Sequence, residues 1–111
     1  MSNTLRLKIK EPLEKDIQKT ILEYLHAKHI FCWKEHSGGL PMDGGKWIMP
    51  IGLKGKADII GVYKGRFLAI EVKRPSGVLS ADQVSFLQNI RENGGIAFVA
   101  KSLDDVIQAG L

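Results

Sequence analysis

Asp58, Glu71 and Lys73 are the residues whose types and spacing carry chemistry in this chain. They sit in two short stretches, Gly55-Lys56-Ala57-Asp58 and Glu71-Val72-Lys73. Between these lie apolar runs at 59–63 and 67–70, joined through Lys64-Gly65. Apolar runs flanking a Gly-containing pair predict a β-hairpin. If that pair is the whole loop, Tyr63 faces Arg66, and Asp58 falls opposite Glu71. A three- or four-residue loop would break this register. Side chains directly opposed across two strands stand only ~5 Å apart, so two carboxylates there repel. Lys73 follows Glu71 by one pleat and projects from the same face. A divalent cation relieves such repulsion, and oxygen donors of this kind suit Mg²⁺ or Mn²⁺. The competing reading is a surface hairpin with a solvated ion pair. The register, the apolar flanks and a further upstream carboxylate weigh against it.

The elements that must position these residues follow from pattern. Pro12 suits a first helical turn, and Ile17, Ile21, Tyr24, Leu25 and Lys28 continue at helical spacing. Glu14 lies on the same stripe at the start of that helix. It either compensates the helix dipole or faces inward, where a buried charge needs a partner or a metal. Residues 30–35 read as a strand. Residues 36–55 are rich in Gly and Pro but hold Met42, Trp47, Ile48 and Met49, and a short strand is expected near 46–50. Both faces of the hairpin are apolar, so cover on both sides is expected. Ser80-Ala81-Asp82-Gln83 matches a capping box, with Val84, Phe86, Leu87 and Ile90 as the buried stripe and Asn93-Gly94-Gly95 as the stop. Residues 96–100 form a further strand, and Ser102 caps a short last helix. The strand–helix–strand connection predicts a parallel, right-handed crossover. The fold class is therefore α/β, a mixed central sheet with helices on both faces.

Composition sets outer bounds. The chain has 111 residues, 44% hydrophobic and 25% charged, which fits one soluble domain, residues 1–111 with a core at about 12–109. The net charge of +4 favours an anionic partner such as nucleic acid. Cys32 is the only cysteine, so an internal disulfide is excluded, and a buried structural thiol is expected. The N-terminus lacks an apolar signal region, and no run approaches a membrane span, so a cytoplasmic location is expected. Lys46, Lys54, Lys56, Arg74 and His36 flank the predicted site and are candidate DNA-binding residues, with solvated surface charge as the alternative. Trp33 and Trp47 either stack on bases or pack in the core, and core packing is the safer expectation.

An Asp followed by Glu-x-Lys at a hairpin end, with an upstream helical Glu, resembles the PD-(D/E)xK nuclease superfamily. The whole chain resembles a stand-alone VRR-NUC domain, on Glu14, Gly55-Lys56-Ala57-Asp58, Glu71-Val72-Lys73 and Gln83 within Gln83-Val84-Ser85-Phe86-Leu87. Ala57 departs from the proline in the superfamily name, a position that shapes backbone rather than chemistry. The resemblance implies a restriction-endonuclease-like core. It implies a metal held by Asp58 and Glu71 with the Val72 carbonyl, and by Glu14 directly or through water. Lys73 would orient the attacking water or offset phosphate charge. Gln83 has two readings, the capping box and a part in the catalytic site.

The expected function is a Mg²⁺- or Mn²⁺-dependent DNA endonuclease. Family resemblance points to branched DNA such as four-way Holliday junctions, and paired incisions there point to a homodimer. The alternatives are an inactive nucleic-acid-binding module and a metal phosphoesterase acting on RNA or nucleotides.

Overall fold

The computed structural model describes residues 10–35, 39–42, 47–50 and 54–111. Helix α1 (Glu14–Ala27) is followed by strands β1 (Phe31–Lys34), β2 (Gly39–Met42), β3 (Trp47–Pro50), β4 (Ile59–Tyr63) and β5 (Arg66–Val72). Helix α2 (Ala81–Glu92), strand β6 (Ile96–Ala100) and helix α3 (Leu103–Gln108) complete the order. The main sheet runs β1-β4-β5-β6, and among the described residues β2 and β3 form a separate two-stranded sheet. The pairs β1–β4 and β4–β5 are antiparallel, and β5–β6 is parallel, as the crossover through α2 requires. The sheet is mixed, with helices on both faces.

The hairpin register is the one the two-residue loop dictates. Tyr63 faces Arg66, and the ladder continues to Ile59 opposite Ile70. Lys64 and Gly65 both take left-handed backbone, φ 50° and 80°, which is the tight turn matching the twist of paired strands. That turn leaves no slack, so the register set there carries to the open end.

Alternation then divides the core. Ile59, Leu68, Ile70 and Val72 bury against Ile17, Ile21 and Leu25 of α1 and Val106 of α3. Ile60 and Ala69 face the other way, onto Leu87 of α2 with Ala57 and Ala97. Each fully buried Leu or Ile stabilises the fold by ~1.5–3 kcal/mol.

Several expectations need correction. Helix α1 starts at Glu14 after Leu13 in extended backbone, so Pro12 precedes the first turn. Val84 is 46% exposed and does not join the buried stripe of α2, which rests on Leu87 with Phe86 and Ile90 partly buried. Cover on the α2 side is incomplete. Phe31, Val62 and Phe67 lie side by side across β1, β4 and β5 and are all exposed. Trp33, one pleat along from Phe31, is also largely exposed rather than a core residue. Helix α2 runs along β5 and β6, from Gln83 beside Glu71 to its C-terminal end near Arg66, so among the described residues the β1–β4 side of this face lacks a layer. Strand β3 matches the expected strand near 46–50, while its partner β2 was not foreseen. Among the described residues, no helix is long and apolar enough to cross a membrane.

Candidate active site

Strand β5 lies between β4 and β6, so its residues are shielded on both edges. Glu71 is its penultimate residue and only 2% exposed. Lys73 comes just after the strand, and its backbone N–H donates to the Ala100 carbonyl at 3.1 Å, which extends the parallel pairing and fixes its Cα. The Lys73 ammonium lies 3.8 Å from Glu71 Oε2. Asp58 sits just before β4. Its side chain turns inward, and Oδ2 accepts the Val72 backbone N–H at 2.8 Å. Its carbonyl accepts the Glu35 N–H, which ties it to the end of β1 as well. Asp58, Glu71, Val72 and Lys73 thus meet at the open end of the hairpin.

Gln83 joins them from the first turn of α2. Its Nε2 donates to Glu71 Oε2 at 3.0 Å. Its Oε1 accepts the Ser80 N–H at 2.9 Å, while Ser80 Oγ accepts the Gln83 N–H at 3.1 Å. One side chain thus closes the capping box and reaches Glu71. Gly55 explains how the helix comes so close. Its φ is +72°, and a Cβ there would stand 2.3 Å from the Asp82 carbonyl group. Only glycine lets the segment leading to Asp58 pass against the first turn that carries Gln83.

The electrostatics single out Glu71. Burial pushes its carboxyl up from 4.5 to about 8, helped by the neighbouring Asp58 charge, a hydrogen bond to Asp58 and, least, the Glu14 charge. Lys73 opposes the rise. As carboxylates, neither Asp58 nor Glu71 can donate, and Glu71 Oε1 is then buried without a partner among the described residues. One shared proton turns the pair into a hydrogen bond. A bound cation relieves the same deficit in another way. The donor set, carboxylate oxygens and a nearby backbone carbonyl, suits a hard divalent cation.

Glu14 is half-buried at the head of α1, where its charge reaches Glu71. Even so, among the described residues no three His, Cys, Asp or Glu side chains form a ready-made metal cluster. Gln18, one helical turn beyond Glu14 on the same stripe, is buried at 7% exposure. Its i+4 spacing from Glu14 puts the two on one helix face.

The basic candidates separate. Lys56 is tied to Glu35 at 3.8 Å and is mostly buried. Arg74 pairs with Glu11 at 3.3 Å, and Glu11 also accepts the Ser76 hydroxyl at 2.8 Å. Lys54 is exposed. Lys46 and His36 lie outside the described residues, as do the side chains of Trp47, Ile48 and Met49. Glu35 had no role in the sequence reading. Its place beside Asp58 depends on β1 pairing with β4, which local pattern does not specify.

Comparison with known proteins supplies two findings. A family model for the VRR-NUC domain matches residues 50–104, which span Asp58, Glu71, Lys73 and Gln83. A solved structure described as a VRR_NUC domain protein superposes with a TM-score of 0.58 at 18% identity, covering 89% of this chain and 85% of its own. At that identity the likeness bears on the fold, a restriction-endonuclease-like core. No curated protein matches. With the matched segment falling on the hairpin and helix that carry the candidate site, residues 50–104 belong to the VRR-NUC domain family.

Proposed function

We propose that this protein is a divalent-metal-dependent DNA endonuclease whose site is built on Asp58, Glu71, Lys73 and Gln83. The observation that carries the reading is the buried Glu71 carboxyl, raised to about 8 beside Asp58 with an oxygen left unpartnered. Such an arrangement is costly for folding and is explained by a cation that the two carboxylates share.

Asp58 and Glu71 would hold the metal, with the Val72 carbonyl and with Glu14 directly or through water. Once bound, Mg²⁺ or Mn²⁺ supplies Lewis-acid polarisation of the phosphoryl group and a water of lowered pKa. The chain's own residues do the rest. The Val72 N–H keeps Asp58 aimed at the site. Gln83 holds one Glu71 oxygen and leaves the other free. Lys73 offsets carboxylate charge in the resting protein and is close enough to orient water or meet a phosphate oxygen. Lys54 contributes an exposed cation for the DNA backbone, and the net charge of +4 draws the polymer in.

Branched DNA, four-way junctions included, is the substrate class we assign, with a homodimer to make paired cuts. Support for this finer reading comes from the family resemblance. The test is cleavage of duplex, flap, single-stranded and four-way DNA, and of matched RNA, in Mg²⁺, Mn²⁺ or EDTA, with Asp58→Asn as the control. Cutting confined to DNA with metal, lost in Asp58→Asn and strongest on the junction, is the expected result. Equal cutting in EDTA refutes the metal site. Equal cutting of linear and four-way DNA by a sedimenting monomer refutes the junction reading.

A further inference from the structure

The Gln83 amide touches two partners of opposite demand. The Ser80 backbone N–H can only donate, so it must meet Oε1. That choice leaves Nε2 toward Glu71, and it donates to Oε2. Turned over by 180°, the amide would set its oxygen against Glu71 and its NH₂ against the Ser80 N–H. Both contacts would then be repulsive. The two contacts select the same orientation, and the Ser80 N–H secures it from the side away from the carboxylates.

We propose that Ser80 is a positioning residue, whose main-chain N–H locks the Gln83 amide so that Nε2 faces Glu71. The device lies within the α2 capping box, which is otherwise a device for helix stability alone. It works because Gly55 lets the first turn of α2 seat against the segment leading to Asp58. The hydroxyl and the N–H of Ser80 have separable tasks. Oγ caps the Gln83 backbone N–H and starts the helix. The main-chain N–H sets the side chain.

Two substitutions separate these tasks. Ser80→Ala removes Oγ and keeps the N–H. Ser80→Pro removes both, and the Ser80 φ of −76° is one that proline adopts. This proposal rests on the nuclease reading for its cleavage arm but has a second arm without metal or substrate. In the cleavage arm, with four-way DNA and Mn²⁺, Ser80→Pro falls below Ser80→Ala by about tenfold or more, the scale of one hydrogen bond to a charged group. The loss lies in kcat rather than KM. In a Gln83→Ala background, Ser80→Pro and Ser80→Ala cleave equally. In the second arm, amide hydrogen exchange is read in EDTA. Ser80 is exposed, so slow exchange of its N–H reports the bond to Gln83 rather than burial. That N–H exchanges slowly in the native chain and several-fold faster in Gln83→Ala. Equal cleavage by the Pro and Ala variants overturns the proposal, as does a deficit of Pro against Ala that persists in the Gln83→Ala background. If the native protein cuts nothing with any metal, the nuclease reading fails by itself. The exchange arm then decides alone: unchanged Ser80 exchange in Gln83→Ala overturns the lock.

Discussion

Glu71→Gln should remove a pH dependence of stability that the metal-free native protein carries. Glu71 is raised from 4.5 to about 8 by burial and by Asp58. Below pH 4.5 the carboxyl is protonated in both folded and unfolded chains. Between 4.5 and about 8 the folded protein keeps a proton that the unfolded chain has released, so each rise in pH favours unfolding. Above 8 both states are ionised and the effect is flat. At ~1.4 kcal/mol per pH unit, the full span costs up to about 5 kcal/mol. Relaxation of the site and water entry around the ionised pair reduce this to about half, ~2–3 kcal/mol. For a domain of this size that is a fall in Tm of roughly 8–12 °C. Glutamine cannot ionise, and its amide oxygen still accepts the Gln83 N–H, so the variant lacks this slope. Thermal melts of both proteins in EDTA from pH 5 to 8.5 give the test, because every other titrating group is common to the two. The native Tm should fall relative to the variant as pH rises, and Mn²⁺ should restore the native protein alone. Parallel Tm–pH curves in EDTA would refute the argument that Glu71 folds as a buried, protonated acid.

Lys73→Ala should lower kcat far more than DNA affinity, because Lys73 lies 3.8 Å from Glu71 at the reacting end; equal losses in rate and in binding by fluorescence anisotropy would make it only a phosphate contact. Glu14→Gln should weaken Mn²⁺ binding by calorimetry with little change in Tm, since Glu14 is half-buried and acts on Glu71 through its charge; unchanged metal affinity would leave it the helix-dipole role alone. Gly55→Ala should cost at least ~1–2 kcal/mol from left-handed backbone alone. It should also cut cleavage well below its melting temperature, because the added Cβ displaces the turn bearing Gln83; normal cleavage by a destabilised variant would show that α2 tolerates the shift.

Much of the candidate site's geometry was legible because it is local. A two-residue turn fixes the hairpin register, and the register brings Asp58 to Glu71 with no knowledge of the rest of the fold. The capping box was equally legible, since its donors and acceptors lie within four residues. What stayed hidden depends on tertiary pairing. The ladder stops at Ile59 and Ile70, and Asp58 uses its freedom to take the Val72 N–H. Lys56 reads as a cation for DNA until β1 brings Glu35 beside it. Val84 and Trp33 have core-residue types, but Val84 lies on an exposed flank of α2 and Trp33 on β1, away from the strands β5 and β6 that α2 covers.

The tight turn at Lys64-Gly65 also orders events in time. A hairpin closed by two residues forms in ~1–10 μs, long before the distant strand β6 returns through α2. Asp58 and Glu71 therefore meet while both are still hydrated and their repulsion is weak. The energetic penalty arrives only when α2 and β6 dock and water leaves. A strain added so late is absent from much of the folding barrier and present in full in the native state. Relieving it, by metal or by neutralising Glu71, should act chiefly by slowing unfolding and leave the refolding rate nearly unchanged.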